Sequence, residues 1–487
     1  MTVQRNLFIG GEHTAAEGGR TTADVGPYTG EAYAQVAAAA PADVKRAVDA
    51  ADAAFADWAA TGPGTRRGIL LKAADLMESR GEEAVALMAA ECGGTRPWAL
   101  FNVQLAAGIL REAAAAVTAP RGEVLSAPDG DGTLSLAVRE PLGVVAAFAP
   151  WNAPLILGTR AVAAPLAAGN TVVVKPSEDA PLACGYLIAD VLHEAGLPAG
   201  VLNVVSNDPA DAADVAETLV GDARVRAVNF TGSTNVGRII GNLASRHLKP
   251  AVLELGGKNS IVVLEDADLD HAVSAAAFGV FMNAGQICMS GDRVLVHESL
   301  AEEFTERFAA KVAALPQGAP TDPETVIGPL VSADAAQRVA ALVRDAVGKG
   351  AKVLTGGGEP EGAVHPATVL TGVTEDMDLY YGEAFGPVCT VRAFADDAEA
   401  VRLVNDTEYG LTCGILTENG THGLNVARRV RTGIVHVNDQ SVADEPQVPF
   451  GGVKSSGYGK FGGRWGVDSF TDTRWVTLHT ERPQYPF

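Results

Sequence analysis

Cys288, in the run Asn-Ala-Gly-Gln-Ile-Cys-Met-Ser, and Glu254, at the head of Glu-Leu-Gly-Gly-Lys, are the side chains best suited to covalent chemistry in this chain. A thiol that attacks a carbonyl needs a small-residue approach, a route to the thiolate and a base to finish the reaction. Gly285 gives the backbone freedom just ahead of the sulfur, and a carboxylate followed by Gly256 and Gly257 can swing towards it or away. Asn152 ends the run Phe-Ala-Pro-Trp-Asn; its amide can donate to the oxyanion formed when a thiolate attacks an aldehyde, beside the Cys288 backbone N–H. Taken singly, each has a plainer explanation. A free Cys is commonly a small buried hydrophobe, and Asn before Pro154 is commonly a turn former.

A dinucleotide site is readable in two further places. Val225 to Phe230 has strand character and runs into Thr-Gly-Ser-Thr-Asn-Val-Gly (231–237), after which Ile239, Ile240 and Leu243 keep helical spacing. A strand, a glycine turn and a helix start present free N–H groups and a positive dipole end to a pyrophosphate, with the Ser233 hydroxyl in support. Lys175 and Glu178 follow the strand-like Thr171 to Val174, at the carboxyl end where open α/β sheets bind ligands. A glutamate there accepts from ribose hydroxyls and repels a 2′-phosphate, which favours NAD over NADP. Gly457-x-Gly-x-x-Gly462 also fits a dinucleotide fingerprint, but no buried strand precedes it and no βαβ unit surrounds it, so it is set aside.

The elements that must position these residues follow from periodicity. Asp43 to Ala60 reads as a helix, with Val44, Ala47, Val48, Ala51, Phe55 and Trp58 on one face and Asp43 as its N-cap. Arg66 to Leu87 and Leu100 to Ala116 read as further helices. Gly122 to Arg139 reads as two strands leaving the core, with a turn at Pro128-Asp129-Gly130. From Leu142 the pattern alternates: strands at Val144–Phe148, Thr171–Val174, Leu202–Val205 and Ala227–Phe230, helices at Pro154–Ala168, Pro181–Ala195 and Ala212–Val220. A second alternating stretch holds strands at Ser260–Leu264 and Arg293–His297. Such alternation specifies parallel sheets covered by helices, a Rossmann-like cofactor domain followed by an α/β catalytic domain. The two would meet near Glu254 and leave a cleft there.

Composition narrows the class. A chain of 487 residues exceeds one ordinary core, and 47% hydrophobic with 20% charged residues suits a folded globular protein. A net charge of −22 argues against a nucleic-acid or anionic-membrane surface. The most apolar run, Leu142 to Trp151, is short and contains Pro150, so no membrane span is expected. Five scattered cysteines with no Cys-x-x-Cys suit a reducing, cytoplasmic compartment, and nine histidines with no His-x-x-x-His pair give no zinc signature, so no metal is expected.

These motifs resemble the aldehyde dehydrogenase superfamily from end to end, Pro-Phe-Gly-Gly-Val-Lys-Ser-Ser-Gly (449–457) among the most specific. The resemblance implies Cys288 as nucleophile, Glu254 as the base that activates water, and Asn152 as oxyanion donor. It implies NAD as cofactor, held by Pro150, Trp151, Lys175, Ser177, Glu178, Phe230, Gly232, Ser233, Val236, Leu255 and Gly256, with Gln337, Glu383 and Phe385 at the nicotinamide ribose and ring. Where the superfamily usually has two acidic residues in a row, Gly382 stands first here, leaving Glu383 as the sole carboxylate. The 457–462 glycines resemble a segment found near subunit contacts. His-Val-Asn-Asp-Gln-Ser-Val-Ala-Asp-Glu-Pro (436–446), Arg474-Trp-Val-Thr and the closing Tyr485-Pro-Phe487 resemble the aromatic-aldehyde branch, the salicylaldehyde, vanillin and benzaldehyde dehydrogenases. Ala153 leaves room for a ring that Trp98, Phe101 and Ile287 can flank, and Arg160 can reach a ring hydroxyl; core aromatics and a surface arginine are the plainer explanations of these side chains. The implied organisation is an NAD-binding domain over 1–120 and 142–253, a catalytic domain over 254–452, and oligomerisation arms over 121–141 and 453–487 that pair subunits into a homodimer or homotetramer. An aliphatic or semialdehyde substrate is the alternative within the family. A thiol esterase would need a base, usually histidine, near Cys288, and no histidine lies near either motif. A CoA-acylating enzyme has no use for Glu254 as a hydrolytic base, and a non-catalytic binding protein has no use for the three residues together.

Overall fold

Long Val- and Ala-rich runs with no polar alternation have only one stable home, a parallel sheet buried on both faces. The computed structural model describes residues 3–119, 121–126 and 133–487, and among the described residues the strands form four sheets. The larger of the two central sheets runs Gly457–Tyr458, Ala251–Glu254, Val225–Thr231, Val144–Ala149, Thr171–Pro176, Leu202–Val204, Leu7–Ile9, Glu12–Thr14. Its five middle strands are parallel, and the outer ones antiparallel. The chain passes from Val144–Ala149 to one side through Thr171–Pro176 and Leu202–Val204. It then returns to the other side as Val225–Thr231. The order therefore reverses between Val144–Ala149 and Val225–Thr231, and such a switch point opens a crevice at the strands' carboxyl ends.

The second central sheet has the order Lys352–Thr355, Thr368–Thr371, Val388–Phe394, Gly291–His297, Asn259–Val263, Thr412–Leu416, Ile434–Val437, parallel except at its first strand. Each central sheet carries an apolar core on each face, four clusters in all among the described residues. The fold is thus α/β with parallel-rich sheets, as the alternation predicts. Leu134–Pro141 pairs along its whole length with Thr471–Leu478 and also with Gly122–Leu125, so strands from the two expected arms form one three-stranded sheet, while Gly457–Tyr458 at the start of the second arm belongs to the first central sheet. The turn expected at Pro128-Asp129-Gly130 lies outside the described residues.

Several local expectations shift. The first long helix is Pro41–Ala60, and Asp43 is its third residue, not its N-cap. From there the Asp43 carboxylate accepts from the N–H of Ala40 at 2.9 Å and reaches back to the N–H of Glu17 at 3.0 Å. The expected Arg66–Leu87 helix is two, Pro63–Ser79 and Gly81–Glu91, jointed at Arg80. The helix expected from Pro181 opens with a π-helical turn, Leu182–Tyr186, before Leu187–Ala195 becomes regular. The buried Glu91 carboxylate caps that turn, accepting the N–H groups of Leu182 and Ala183, each at 2.8 Å.

Asp43 is fully buried and satisfies two backbone donors that no other group reaches. Asp43→Ala is expected to destabilise the chain by about 1–2 kcal/mol. A thermal melt that leaves Tm unchanged would contradict this role.

Candidate active site

The parallel strands of the first sheet end level with one another: Phe148 stands opposite Phe230 and Lys175, and Thr231 opposite Glu254. Their carboxyl ends deliver Pro150, Trp151 and Asn152 from one strand, Gly232 and Ser233 from the next, and Glu254 from the third. These residues line a cavity of about 380 Å³, closed from the second sheet's side by Cys288, Glu383, Phe385 and Arg338, with Gly256, Leu157, Thr231 and Asn235 completing the wall.

Asn152 is held from three directions. Its Nδ2 donates to the Gln286 carbonyl at 2.9 Å, and its own carbonyl accepts from the Trp98 indole and from Asn283 Nδ2, both at 3.0 Å. The Cys288 segment is fixed as firmly. Asn259 Nδ2 donates to the carbonyls of Cys288 at 2.7 Å and Ser290 at 3.0 Å, and Gln286 Oε1 accepts from Val331 N at 2.9 Å. Asn283, Ala284 and Gly285 all have positive φ, 51°, 53° and 72°, so the chain makes an unusual left-handed approach to the thiol. A side chain at Gly285 would overlap the Gly386 carbonyl, so both its conformation and its size are required. Phe385, beside it, is also left-handed at φ 46°, and its ring meets Trp151 edge-on at 5.6 Å.

Gly256 and Gly257 are not among the residues with positive φ. Their smallness makes room instead of giving freedom. A Cβ on Gly256 would lie 2.5 Å from Glu383 Oε2, and one on Gly257 would lie 2.8 Å from the Cys288 carbonyl. Gly257 N–H donates to Glu383 Oε1 at 2.8 Å, so the glycine pair is the seat of Glu383. The 457–462 glycines, expected near subunit contacts, run alongside: Gly457 pairs with Glu254, Leu255 N–H donates to the Ser456 carbonyl at 3.1 Å, and Ser456 Oγ to the Gly256 carbonyl at 2.7 Å.

Charge in the cavity is suppressed. Both Glu254 carboxylate oxygens are buried and meet no N–H or O–H donor among the described residues. Burial pushes its pKa up to about 8; the Arg160 charge opposes this, Glu383 adds to it, and a weak hydrogen bond from the Cys288 thiol opposes it further. Burial likewise lifts Glu383 to about 7 against the Gly257 N–H. The Cys288 thiol is raised well above its ordinary value, by burial first and then by the charges of Glu254 and Glu383. A thiol, a buried carboxyl and an amide donor share one pocket, which is the equipment for addition to a carbonyl, stabilisation of the oxyanion and proton transfer.

At the neighbouring strand end Lys175 Nζ pairs with Glu178 Oε1 at 2.5 Å, and Asn207 Nδ2 donates to the same oxygen at 2.7 Å. Ser177 N–H holds the Ala149 carbonyl at 2.8 Å. Ser233 caps the helix Thr234–Arg246, its Oγ accepting from Val236 N. Phe230 and Leu255 are buried beneath the cavity floor, and Val236 is exposed on the helix's first turn. Gln337 points to solvent; its neighbour Arg338 lines the cavity and donates to the Ala384 carbonyl at 3.1 Å. Helix phase was the signal: Ala336, Val339, Ala340 and Val343 mark the buried face of Ala333–Gly348. Trp98, Ala153 and Ile287 are buried in the adjoining core, Phe101 stacks on Trp98 at 5.6 Å with one edge exposed, and Arg160 is not a surface residue but is buried in an ion pair with Asp444.

Two parallel-sheet domains with a thiol, a carboxyl and an amide between them, and strand ends shaped for a dinucleotide, define a carbonyl-oxidising enzyme of the dehydrogenase class. The chain belongs to the aldehyde dehydrogenase family, whose sequence profile matches residues 13–476. It is 52% identical over 480 residues to a vanillin dehydrogenase of Pseudomonas sp. (strain HR199 / DSM 7063), covering 99% of both chains. The crystal structure of a salicylaldehyde dehydrogenase from Pseudomonas putida G7, complexed with salicylaldehyde, superposes with TM-score 0.97 at 42% identity over 100% of both chains. An aldehyde dehydrogenase from Bacillus cereus in complex with NAD+ gives TM-score 0.94 at 34% identity over 98% of this chain and 97% of that one. The protein is therefore an aldehyde-oxidising oxidoreductase of a family that uses nicotinamide dinucleotides. No helix among the described residues is long and apolar enough to cross a membrane.

A raised carboxyl pKa carries a stability signature. Glu254 binds its proton more tightly folded than unfolded, so this contribution is full below the ordinary value near 4.5 and lost as pH rises through about 8. Glu254→Gln removes the dependence. Its Tm relative to wild type is expected to rise between about pH 5 and 8 and then level off; a constant difference across that range would contradict the raised proton affinity of the buried carboxyl.

Proposed function

We propose that the protein oxidises an aromatic aldehyde to its carboxylic acid with NAD, through a thioester on Cys288. The observation that carries the chemistry is the convergence of Cys288, Glu254 and Asn152 on one cavity at the sheet's switch point. The Cys288 thiol passes its proton to the Glu254 carboxylate, which releases it to solvent before hydrolysis; Sγ adds to the aldehyde carbon, and the oxygen, now negative, is met by Asn152 Nδ2 and the Cys288 N–H. Bound NAD supplies the hydride acceptor and a positive charge. After the aldehyde hydrogen leaves as hydride, the carbonyl reforms as a thioester. Glu254 then takes a proton from water, hydroxide adds to the thioester carbon, and Sγ departs as the acid is released.

The residues present fit the dinucleotide. Gly232 and Ser233 leave a helix N-terminus open to the pyrophosphate. Glu178 offers a carboxylate to a ribose, and Glu383 keeps its second oxygen over Gly256. The aromatic substrate class is supported by kinship with vanillin and salicylaldehyde dehydrogenases and by the apolar Leu157 on the cavity wall. Residues 1–120 with 142–253 would bind NAD, and 254–452 would carry the nucleophile. The arms 121–141 and 453–487 would join subunits into a homodimer or homotetramer, since Trp475 and Val124 expose 73% and 74% of their surface on the three-stranded sheet. The five free cysteines suit a cytoplasmic setting.

NAD reduction by the purified protein with benzaldehyde, salicylaldehyde, vanillin and short and long aliphatic aldehydes tests the substrate class. Aromatic members should have the higher kcat/KM, and an aliphatic preference would overturn that part alone. Cys288→Ala should abolish turnover with dinucleotide binding intact. Glu254→Gln should give a burst of reduced cofactor without steady turnover. Glu178→Ala should narrow the preference for NAD over NADP by roughly tenfold, equivalent to about 1.4 kcal/mol; an unchanged ratio would remove Glu178 from cofactor selection.

A further inference from the structure

Glu383 is held in place by more than the Gly257 N–H, and the groups that hold it have no part in the mechanism above. Lys258 and Asp292 form an ion pair at 3.5 Å, with side chains 0% and 7% exposed. Lys258 Nζ donates to the Gly382 carbonyl at 2.8 Å, just before Glu383, and Asp292 Oδ1 accepts from the Ala384 N–H at 3.2 Å, just after it. The pair therefore grips the main chain on both sides of one carboxylate. A buried ion pair is a poor source of stability, because the hydration taken from both charges costs about what their attraction returns. What it supplies is direction, since each charge must lie where its hydrogen bonds can be made.

That grip is itself anchored to the reacting groups. Lys258 directly follows the glycine whose N–H binds Glu383 Oε1, and the Lys258 carbonyl accepts from the buried Arg293 guanidinium at 3.1 Å. Asn259, next along, donates to the Cys288 carbonyl at 2.7 Å, and Glu254 opens the same run. One short stretch, 254–259, thus sets the base, the seat of Glu383 and the carbonyl of the nucleophile in fixed relation. The charges of Lys258 and Asp292 are both felt at Glu383. Burial lowers the proton affinity of Lys258 and raises that of Asp292, as it must for charges kept from water.

Resting on the dinucleotide site proposed above, we propose that Lys258 and Asp292 are positioning residues for the cofactor: they fix the segment 382–384 so that the uncommitted Glu383 oxygen meets the hydroxyls of the nicotinamide ribose. The pair touches no ligand, and no covalent step is involved. Gly382 has no side chain with which to steady this segment, so the steadying falls to the groups around it. An acceptor displaced by about 1 Å forfeits most of its hydrogen bond, so a small slackening here is felt at the ribose. The nicotinamide half of the cofactor would depend on the pair. The adenosine half, met by Glu178 and the helix start at Ser233, would not.

The test is calorimetric binding of NAD and of AMP, which carries only the adenosine half, to the full-length protein and its variants. Lys258→Met should weaken NAD by about ten- to a hundredfold and leave AMP within about twofold of wild type. Asp292→Asn keeps an oxygen for the Ala384 N–H but not the charge. It should weaken NAD by about three- to tenfold, and it carries the same comparison if Lys258→Met does not fold. Glu383→Gln should also weaken NAD, and adding Lys258→Met to it should cost little more, since the lysine acts through that carboxylate. Unchanged NAD affinity in the variants would overturn the proposal. So would an equal loss for NAD and AMP, the mark of a general distortion, or losses that simply add in the double variant. A wild type that binds neither nucleotide removes the dinucleotide site and the pair's role with it, and that failure is seen before any variant is made.

Discussion

The cavity is organised around a buried carboxyl group that meets no N–H or O–H donor among the described residues. Leaving both oxygens of Glu254 bare costs several kcal/mol, and a chain free to move would relieve it by turning the side chain outward. The main chain that carries it is fixed from two strands. The Glu254 carbonyl accepts from Gly232 N–H, the Leu255 N–H is taken by Ser456, and Gly457 pairs with Glu254 across the sheet edge. Two central sheets with apolar cores on both faces supply the stability that tolerates this local cost.

The opposite wall stores its own strain. Three consecutive left-handed residues, two of them not glycine, lead to Cys288, and the left-handed Phe385 stands against them. Such backbone survives only where neighbours over-determine it. Here Asn259, Gln286 and Asn152 each donate through a side-chain amide to a carbonyl of the strained segment or its flanks, those of Cys288, Asn283 and Gln286 respectively. Asn152 thereby does two things with one amide: it spans the gap between the sheets, and it keeps Nδ2 near the thiol. Trp98, expected as a ring-facing aromatic, contributes at one remove by holding the Asn152 carbonyl through its indole N–H.

Much of this was legible in the sequence because periodicity and strand-end position are local properties. Parallel strands read as unbroken apolar runs, Pro154–Ala168 matched its helix to the residue, and the ends of those runs pointed to Asn152, Ser233 and Glu254. What escaped reading depends on partners far along the chain. The reason for Gly256 is the Glu383 carboxylate, more than a hundred residues away, and for Gly257 the Cys288 carbonyl and the Asn259 amide, so steric need looked like flexibility. Asp43 serves as an acceptor for Glu17 N–H, which no helix pattern reveals. Arg338 replaced Gln337 at the cavity because helix phase, one residue out, decides which side chain faces inward. The segment after Pro449 has no apolar run of its own, yet it completes a sheet by pairing with the strand of Glu254.

Glu254 and Glu383 are both buried glutamates with proton affinities raised to about 8 and about 7, and the difference in their surroundings separates what each can do. Glu383 has a backbone donor at 2.8 Å and a glycine beneath it, so it is a fixed acceptor with one oxygen committed. Glu254 has only the weak donor of the Cys288 thiol, and a proton is the partner that best relieves its isolation. A group in that condition takes a proton readily when a donor comes within reach and gives it up when a cation or water enters the site. The same burial that makes the ligand-free thiol reluctant to ionise therefore makes the cavity sensitive to the charge of what binds there. A positive ring placed among two carboxyls and a thiol would favour their ionised forms together, which couples the readiness of the nucleophile to occupancy of the dinucleotide crevice.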